Sequence, residues 1–270
     1  MKRILVMLFL LGVFSVGCHS DSNNNSRSSP ISPLESTRTI DVPGMYSTIK
    51  EAINAAGTGD FVRVAAGIYT EDIVISSKSF SLRGAGKGQT IILGSVKIYE
   101  NSNTSFEAFT VKGGGIHVRN SSVRITGNEI CESPTTGLWL ENCPTVVISD
   151  NDIHHNGQEG TVANNSSGVI GSTIVTQNTT DGIVLNNSSL GLVGNIITSN
   201  QRDGISIQGF TCCSSPNLLE NIVRDNGGVN NYDIICFGGN VNPTGVGNVF
   251  GRCMNCAECR SFGNPVTYRY

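Results

Sequence analysis

Apolar residues recur at every second position over short stretches of this chain, as in Phe61-Val-Arg-Val64, Ile73-Val-Ile75, Phe80-Ser-Leu82, Ile91-Ile-Leu93, Val123-Arg-Ile125, Leu138-Trp-Leu140 and Ile205-Ser-Ile207. A two-residue period is that of a strand with one buried face, and each stretch has the length of a short strand between polar turns. One earlier segment follows a different period. Ile49, Ala52, Ile53 and Ala56 make a helical stripe, Thr48 and Glu51 have capping-box spacing, and Gly57 stands where the helix can end. The pattern predicts one short helix followed by many short strands.

A longer period lies above the strand period. Gly115-Ile-His-Val, Gly137-Leu-Trp-Leu, Gly160-Thr-Val-Ala, Gly182-Ile-Val-Leu and Gly204-Ile-Ser-Ile fall into register at spacings of 22, 23, 22 and 22 residues. Five residues after these glycines stand Asn120, Asn142, Asn165 and Asn187, with Gly209 breaking the series. Nine residues before the last four stand Asn128, Asn151, Thr173 and Asn195, and four before the last three stand Asn156, Asn178 and Asn200. Such a repeat is too short for strand, helix and return. It suits a coil in which each turn pairs its backbone with the next and like residues stack about 4.8 Å apart. Stacked Asn side chains can hydrogen-bond along a column, and Asn tolerates the left-handed backbone of a sharp corner. The helix would cover the exposed first coil. After Gln208 the register slips, Asn221 following Asn195 by 26 residues, and the excess around Thr211-Cys-Cys-Ser-Ser-Pro216 implies a protruding loop.

Composition agrees with a coil. Only 14% of the 270 residues are charged, against about 25% in an average soluble domain, and the net charge is -3. These values exclude a basic nucleic-acid binder, so no nucleic-acid partner is expected. Asn, Ser, Thr and 32 glycines fill the places that charge would take, as the stacked corners of a solenoid require.

The N-terminus adds a location. Met1-Lys2-Arg3 followed by the apolar run Ile4 to Val16 has the form of an export signal and is too short to span a bilayer. Ser15-Val16-Gly17-Cys18 resembles the lipobox of bacterial lipoproteins, with Ser15 where Leu is usual; the resemblance implies lipidation of Cys18. His19 to Arg38, rich in Ser, Asn and Pro, reads as a tether. The expected organisation is a signal peptide over 1–18, a tether over 19–38, the coil over 39–239 and a Cys-rich cap over 240–270. The protein would then sit in the bacterial cell envelope, held to a membrane through its lipid alone.

Eight cysteines remain, an even number in an exported chain, and all are disulfide candidates: Cys131, Cys143, Cys212, Cys213, Cys236, Cys253, Cys256 and Cys259. Cys131 and Cys143 are one candidate pair, and the others would clamp the last coil to the tail. The run Cys253-Met-Asn-Cys256-Ala-Glu-Cys259 also has a metal-like spacing, but it lacks a fourth ligand.

Tyr46-x-Thr48-Ile49-x-x-Ala52-Ile53, Gly59-Asp60, Val62-x-Val64, Gly67-Ile68-Tyr69-x-Glu71 and Leu82-x-Gly84-x-Gly86 together resemble the opening of the right-handed parallel β-helices of the pectin lyase-like superfamily. Repeats of the form Asn-x-Ile-x-x-Asn-x-x-x-Gly-Ile are similar to those of that superfamily and of NosD-like periplasmic proteins. The resemblance implies an all-β fold, a right-handed parallel β-helix with a short N-terminal capping α-helix and a Cys-rich C-terminal cap. It implies no single activity, since lyases, hydrolases, esterases, epimerases and adhesins share the fold. Their own motifs are missing here: Asn178-Thr-Thr-Asp181-Gly182 only loosely matches the Asn-Thr-Asp-Gly of polygalacturonases, and Asp152-Ile-His154-His155 is a poor match to the Asp-Pro-His-Asp of alginate epimerases.

Two candidate sites follow from the register. One residue before the repeat glycines stand Thr136, Glu159, Asp181 and Asp203, so three carboxylates should stack on successive coils. Adjacent charges about 5 Å apart would repel by about 3 kcal/mol at an effective dielectric near 20. Such a column binds a cation such as calcium, raises a pKa for acid/base work, or is a set of solvated turns. Two residues after the glycines, pointing outward, come His117 and Trp139, the only tryptophan. An exposed indole is a stacking platform for a sugar ring, unless a loop or the tail covers it. Three functions are consistent with these features: binding of polysaccharide or another extended envelope ligand without catalysis, a polysaccharide lyase or hydrolase using Glu159, Asp181 and Asp203, or a NosD-like accessory protein, the last requiring reduced cysteines.

Overall fold

A computed structural model describes residues 37–100, 102–210, 214–256, 259 and 263–265. Cys18, the signal and nearly all of the tether, and the loop cysteines Cys212 and Cys213, lie outside the described residues.

The repeats form a parallel β-helix. Each coil contributes strands to a ten-stranded sheet running from Thr39–Val42 to Thr244–Val246, and to a second sheet that bends into a long and a short face. The ten-residue strands Thr90–Tyr99 and Thr110–Arg119 run through that bend. The glycine register is the pairing register: Ile116, Leu138, Thr161, Ile183, Ile205 and Ile234 are successive partners on the long face. Every rung turns one aliphatic set inward, and Val118, Leu140, Leu185 and Ile207 are fully buried.

The asparagine columns divide into two kinds. Asn120, Asn142, Asn165 and Asn187 have φ between 46° and 51°, the left-handed corner that Asn accepts at small cost. The other two columns are interior. Asn156, Asn178, Asn200 and Asn226 are linked amide to amide at 2.9 Å per rung, and each Oδ1 from Asn178 onward also accepts the backbone N–H of the preceding rung's Asn at 3.1 Å. Asn195, Asn221 and Asn248 repeat this arrangement at 2.9 Å on another corner. These amides satisfy corner backbone groups that the sheets cannot reach.

The helix Ile49–Ala55 covers the first coil with Ile49, Ala52 and Ile53 buried and the Thr48–Glu51 capping box in place. It ends on extended Ala56 rather than on Gly57. The Lys78 ammonium takes over the last turn, donating to the carbonyls of Ile53, Asn54 and Ala56 at 2.7–2.9 Å.

The C-terminal region is Cys-rich and bears two disulfides, Cys236–Cys256 and Cys253–Cys259. Past residue 239 the segment expected as a cap adds rungs of its own, Asn248–Phe250 pairing with Ile222–Arg224 and Cys253–Met254 with Ile234–Phe237. The candidate pair Cys131 and Cys143 is corrected: both are free and buried. Cys143 occupies a rung of an interior hydroxyl column. Its N–H donates to Ser166 Oγ at 3.1 Å, as Ser102 N does to Ser121 and Ser166 N to Ser188. Its thiol thus does a serine's work, facing the carbonyls of Val118 and Glu141 at 3.6 and 3.4 Å. Cys131 belongs to the short face, in register with Lys112 and His154.

Candidate functional site

His117 and Trp139 stand where the register puts them, side by side on the outer surface of the long face. Their rings meet edge to face at 6.1 Å, and Tyr99 meets His117 from the other side at 5.3 Å. Ser95, Lys97, His117, Thr136, Trp139 and Gln158 line a groove of about 400 Å³ there. Further along the same outer column Val162, Val184 and Ser206 are buried, so the column is open at its Lys97–His117–Trp139 end. A larger groove of about 650 Å³ lies at the first coils beside Asp41 and Arg63, but those two charges are spent on each other at 2.7 and 3.1 Å.

His117 in the Trp139 groove is flanked by two groups that can exchange a proton with it. Tyr99 Oη lies 3.0 Å from His117 Nδ1, and Glu141 Oε2 lies 3.7 Å from His117 Nε2, an ion-pair separation longer than a hydrogen bond. Burial pulls the imidazole below its ordinary range; Glu141 pulls it back up, and Arg119 and Lys97 add to the fall. His117 is therefore neutral at pH 7, able to accept a proton. Nε2 of His117 and Nε1 of Trp139 are buried without a hydrogen-bond partner, each at a cost of about 1–3 kcal/mol.

Sequence reasoning found His117 and Trp139 but missed Lys97, Tyr99 and Glu141. Lys97 pairs with His117 only 20 residues on, across a register shift between Gly94 and Val96, so the 22-residue period does not reach it. The alternation Val96-Lys-Ile98-Tyr was the available signal.

The carboxylates of the column accept hydrogen bonds from neighbouring rungs, Asp181 and Asp203 from backbone N–H groups and Glu159 from a side-chain hydroxyl. Asp181 Oδ1 accepts from Asp203 N at 2.9 Å, Asp203 Oδ1 from Tyr232 N at 2.6 Å, and Glu159 Oε2 from Thr136 Oγ1 at 2.9 Å. Asp181 and Asp203 are buried, each 4% exposed. They are not the solvated turn residues that a carboxylate before glycine suggests. Burial pushes the Asp181 carboxyl up; the Asp203 N–H and Arg202 oppose the rise, while Asp203 and Glu159 add to it. A carboxyl raised in the folded state stabilises the fold fully below its unfolded pKa, about 3.9, and loses that contribution as pH rises through the folded value. In Asp181→Asn the amide oxygen can still accept from Asp203 N without ionising. Urea unfolding across pH 3–8 is therefore expected to show the variant gaining stability relative to wild type as pH rises. A constant difference would refute the assignment.

Two groups of three ligand-type residues lie together among the described residues. Cys253, Cys256 and Cys259 are one, but all three are in disulfides. Glu129, Cys131 and His154 on the short face are the other. Burial pushes the Cys131 thiol up to about 11, with Glu129 and Glu132 adding to the rise. The disulfides remove four cysteines from the reduced set that an accessory role in metal delivery requires.

Comparison with known proteins agrees with this architecture. The family model of the right-handed β-helix region matches residues 114–264, more than half of the chain. The chain belongs to the right-handed β-helix family. This β-helix protein is similar in fold to a double mutant of the periplasmic alginate epimerase AlgG, with a TM-score of 0.50 and 16% identity over 77% of this chain and 73% of that one. It also matches the pectate lyase Pel9A at a TM-score of 0.47 and 16% identity, over 79% of this chain and 63% of that one. In sequence it is 44% identical over 90 residues to a probable pectinesterase/pectinesterase inhibitor 17 of Arabidopsis thaliana, 32% of this chain and 17% of that protein. The β-helix chain thus spans under a fifth of that relative's length.

Proposed function

We propose that this β-helix protein binds an acidic polysaccharide in the Trp139 groove and acts on it by proton transfer at His117. The observation that carries the reading is the convergence of the only tryptophan, a neutral imidazole flanked by Tyr99 and Glu141, and the exposed Lys97 on one groove. An indole face takes the apolar face of a sugar ring, and a lysine beside it takes a uronate carboxylate. Neutralising that carboxylate also acidifies the carbon next to it, so a base at His117 fits β-elimination or epimerisation. The pectinesterase similarity supports a pectin-like class of ligand. The second reading is binding without chemistry, favoured by the use of Asp181 and Asp203 as backbone acceptors.

Isothermal titration with a panel of uronate and neutral polysaccharides tests binding, and proton NMR of the incubated glycans tests chemistry. Wild type is expected to bind uronate polymers, Trp139→Ala at least 10-fold more weakly, and His117→Gln to bind while losing turnover. Equal affinity of wild type and Trp139→Ala would refute the groove, and binding without product would leave the second reading.

Two further assignments belong to this proposal. Calcium, an oxygen-seeking ion, would draw on the oxygens of Asp181 and Asp203 other than the Oδ1 atoms that accept from the backbone; stabilisation by calcium of wild type and not of Asp203→Asn is the expected sign. The protein is placed in the bacterial envelope, anchored through Cys18 with residues 19–38 as leash, so Cys18→Ala should move it from the membrane to the soluble fraction.

A further inference from the structure

The geometry points to a second site, unconnected with the polysaccharide groove: a binding site for a divalent transition metal, best fitted by zinc, formed by Glu129, Cys131 and His154 on the short face of the coil. One ligand atom from each residue lies within 4.8 Å of the other two. His154 Nε2 and Glu129 Oε1 are 3.2 Å apart. In a tetrahedral zinc site with bonds of about 2.0–2.3 Å the ligand atoms stand about 3.3–3.8 Å apart. The His–Glu separation is therefore already short enough, and closing the site needs a movement of at most about 1 Å by the thiol.

The fold holds these residues in place. Glu129 and Cys131 flank the fully buried Ile130 on one strand and so share its outer face. Cys131 is the register partner of His154 on the next strand, whose neighbour Ile153 is also fully buried. The backbone ladder continues on both sides, to Thr110–Arg119 and to Ile174–Thr176. Neither strand has to reorganise around a ligand.

The surrounding contacts are those a metal site uses. Glu129 Oε2 accepts from Thr110 Oγ1 at 2.7 Å, which turns Oε1 toward His154. His154 Nδ1 lies 2.8 Å from His155 Nδ1, which leaves Nε2 facing the carboxylate. Fixing a ligand through its other polar atom is the usual outer-shell device. The nearby cations are neutralised, Lys112 by Glu132 and Lys87 by Asp152, each at 2.8 Å. A thiolate and a carboxylate balance one divalent cation, the thiol proton leaving to solvent as the metal–sulfur bond forms. Sulfur, imidazole and one carboxylate suit zinc or cobalt and do not suit calcium or magnesium, which need several oxygens. The fourth tetrahedral position would be left for water.

Cobalt(II) is the probe, because it is visible where zinc is not. The full protein, with its disulfides intact and treated with chelator, is titrated with cobalt(II) and then with zinc. The expected result is one equivalent bound tetrahedrally, with a sulfur-to-cobalt charge-transfer band in the near ultraviolet that zinc abolishes. Cys131→Ser should lose that band, and the more exposed His154→Gln and Glu129→Gln should bind at least 10-fold more weakly with unchanged circular dichroism. A featureless titration of wild type overturns the proposal. So does a charge-transfer band that persists at full affinity in both His154→Gln and Glu129→Gln, since the metal would then be held elsewhere.

Discussion

Asn178→Ala is expected to cost about 3–5 kcal/mol of folding stability, although the residue touches no ligand and lies in no groove. Its Oδ1 accepts both the backbone N–H and the side-chain amide of Asn156, and its Nδ2 donates to Ile153 O and Asn200 Oδ1. Alanine leaves the Asn156 N–H without its acceptor and Ile153 O without that donor, at a position with no solvent exposure. Each orphaned buried group costs about 1–3 kcal/mol, and the vacated volume adds to that. The parallel column shows what a partial replacement does. Thr173 holds a rung there, its Oγ1 receiving the Asn151 N–H at 3.5 Å while its own N–H reaches Asn195 at 3.0 Å. Asn178→Thr should therefore keep part of the stability. Urea unfolding of the three proteins checks the order wild type, Thr, Ala; an Ala variant within 1 kcal/mol of wild type would mean that the column does not hold the coils together.

Gly182→Ala should be nearly as damaging, for a different reason. Its φ is an ordinary one, so backbone freedom does not require glycine, and a glycine-to-alanine change at such a position commonly stabilises by about 0.4–1 kcal/mol. Here the added Cβ would lie 2.5 Å from Ile197 Cγ2, 2.6 Å from Gly204 O and 2.8 Å from Asn200 Nδ2. The second of these is backbone of the next coil and the third is a rung of the amide column, so neither can retreat without breaking hydrogen bonds. A loss of about 2–4 kcal/mol is expected. Exposed Gly239, with nothing within 4 Å of its Cβ position, is the control, and Gly239→Ala should stay within about 0.5 kcal/mol of wild type. Equal melting of the two alanine variants would contradict the close packing of successive coils.

The repeat glycines were thus legible as a period but not as a packing constraint. The sequence shows that glycine returns every 22 or 23 residues; only the stacked coils show the amide of the next rung lying over Gly137, Gly160, Gly182 and Gly204. The asparagines teach the same distinction. One residue type serves a left-handed corner at Asn142 and Asn165 and an interior amide column at Asn178 and Asn200. The exception at Thr173 fits the interior role, since threonine keeps a polar side-chain atom. Gly209, which breaks the corner series, does not take the left-handed backbone, and a Cβ there would lie 2.5 Å from Asn240 O.

The site was legible where the period is regular. His117 and Trp139 sit on regular rungs and come together, whereas Lys97 and Tyr99 precede the regular region and Glu141 is one more polar residue after a strand. The register gives the position of each carboxylate along the coil, but it fixes where a residue stands and not which way its side chain rotates. The Asp181 and Asp203 carboxylates are spent on the backbone of the following rung. Cys143 was misread for a related reason: a cysteine in an exported chain suggests a bridge, and only the serines above and below it identify its rung.

The central claim is that the Trp139 groove receives the ligand, and the sequence offers a direct probe of it. The chain has one tryptophan, so its indole fluorescence reports on this groove alone. Titration with an oligouronate is expected to change the emission of wild type along the same saturation curve that calorimetry gives for binding, and His117→Gln should preserve the change. Calorimetric binding with no change in tryptophan emission would place the ligand elsewhere on the coil and contradict the account.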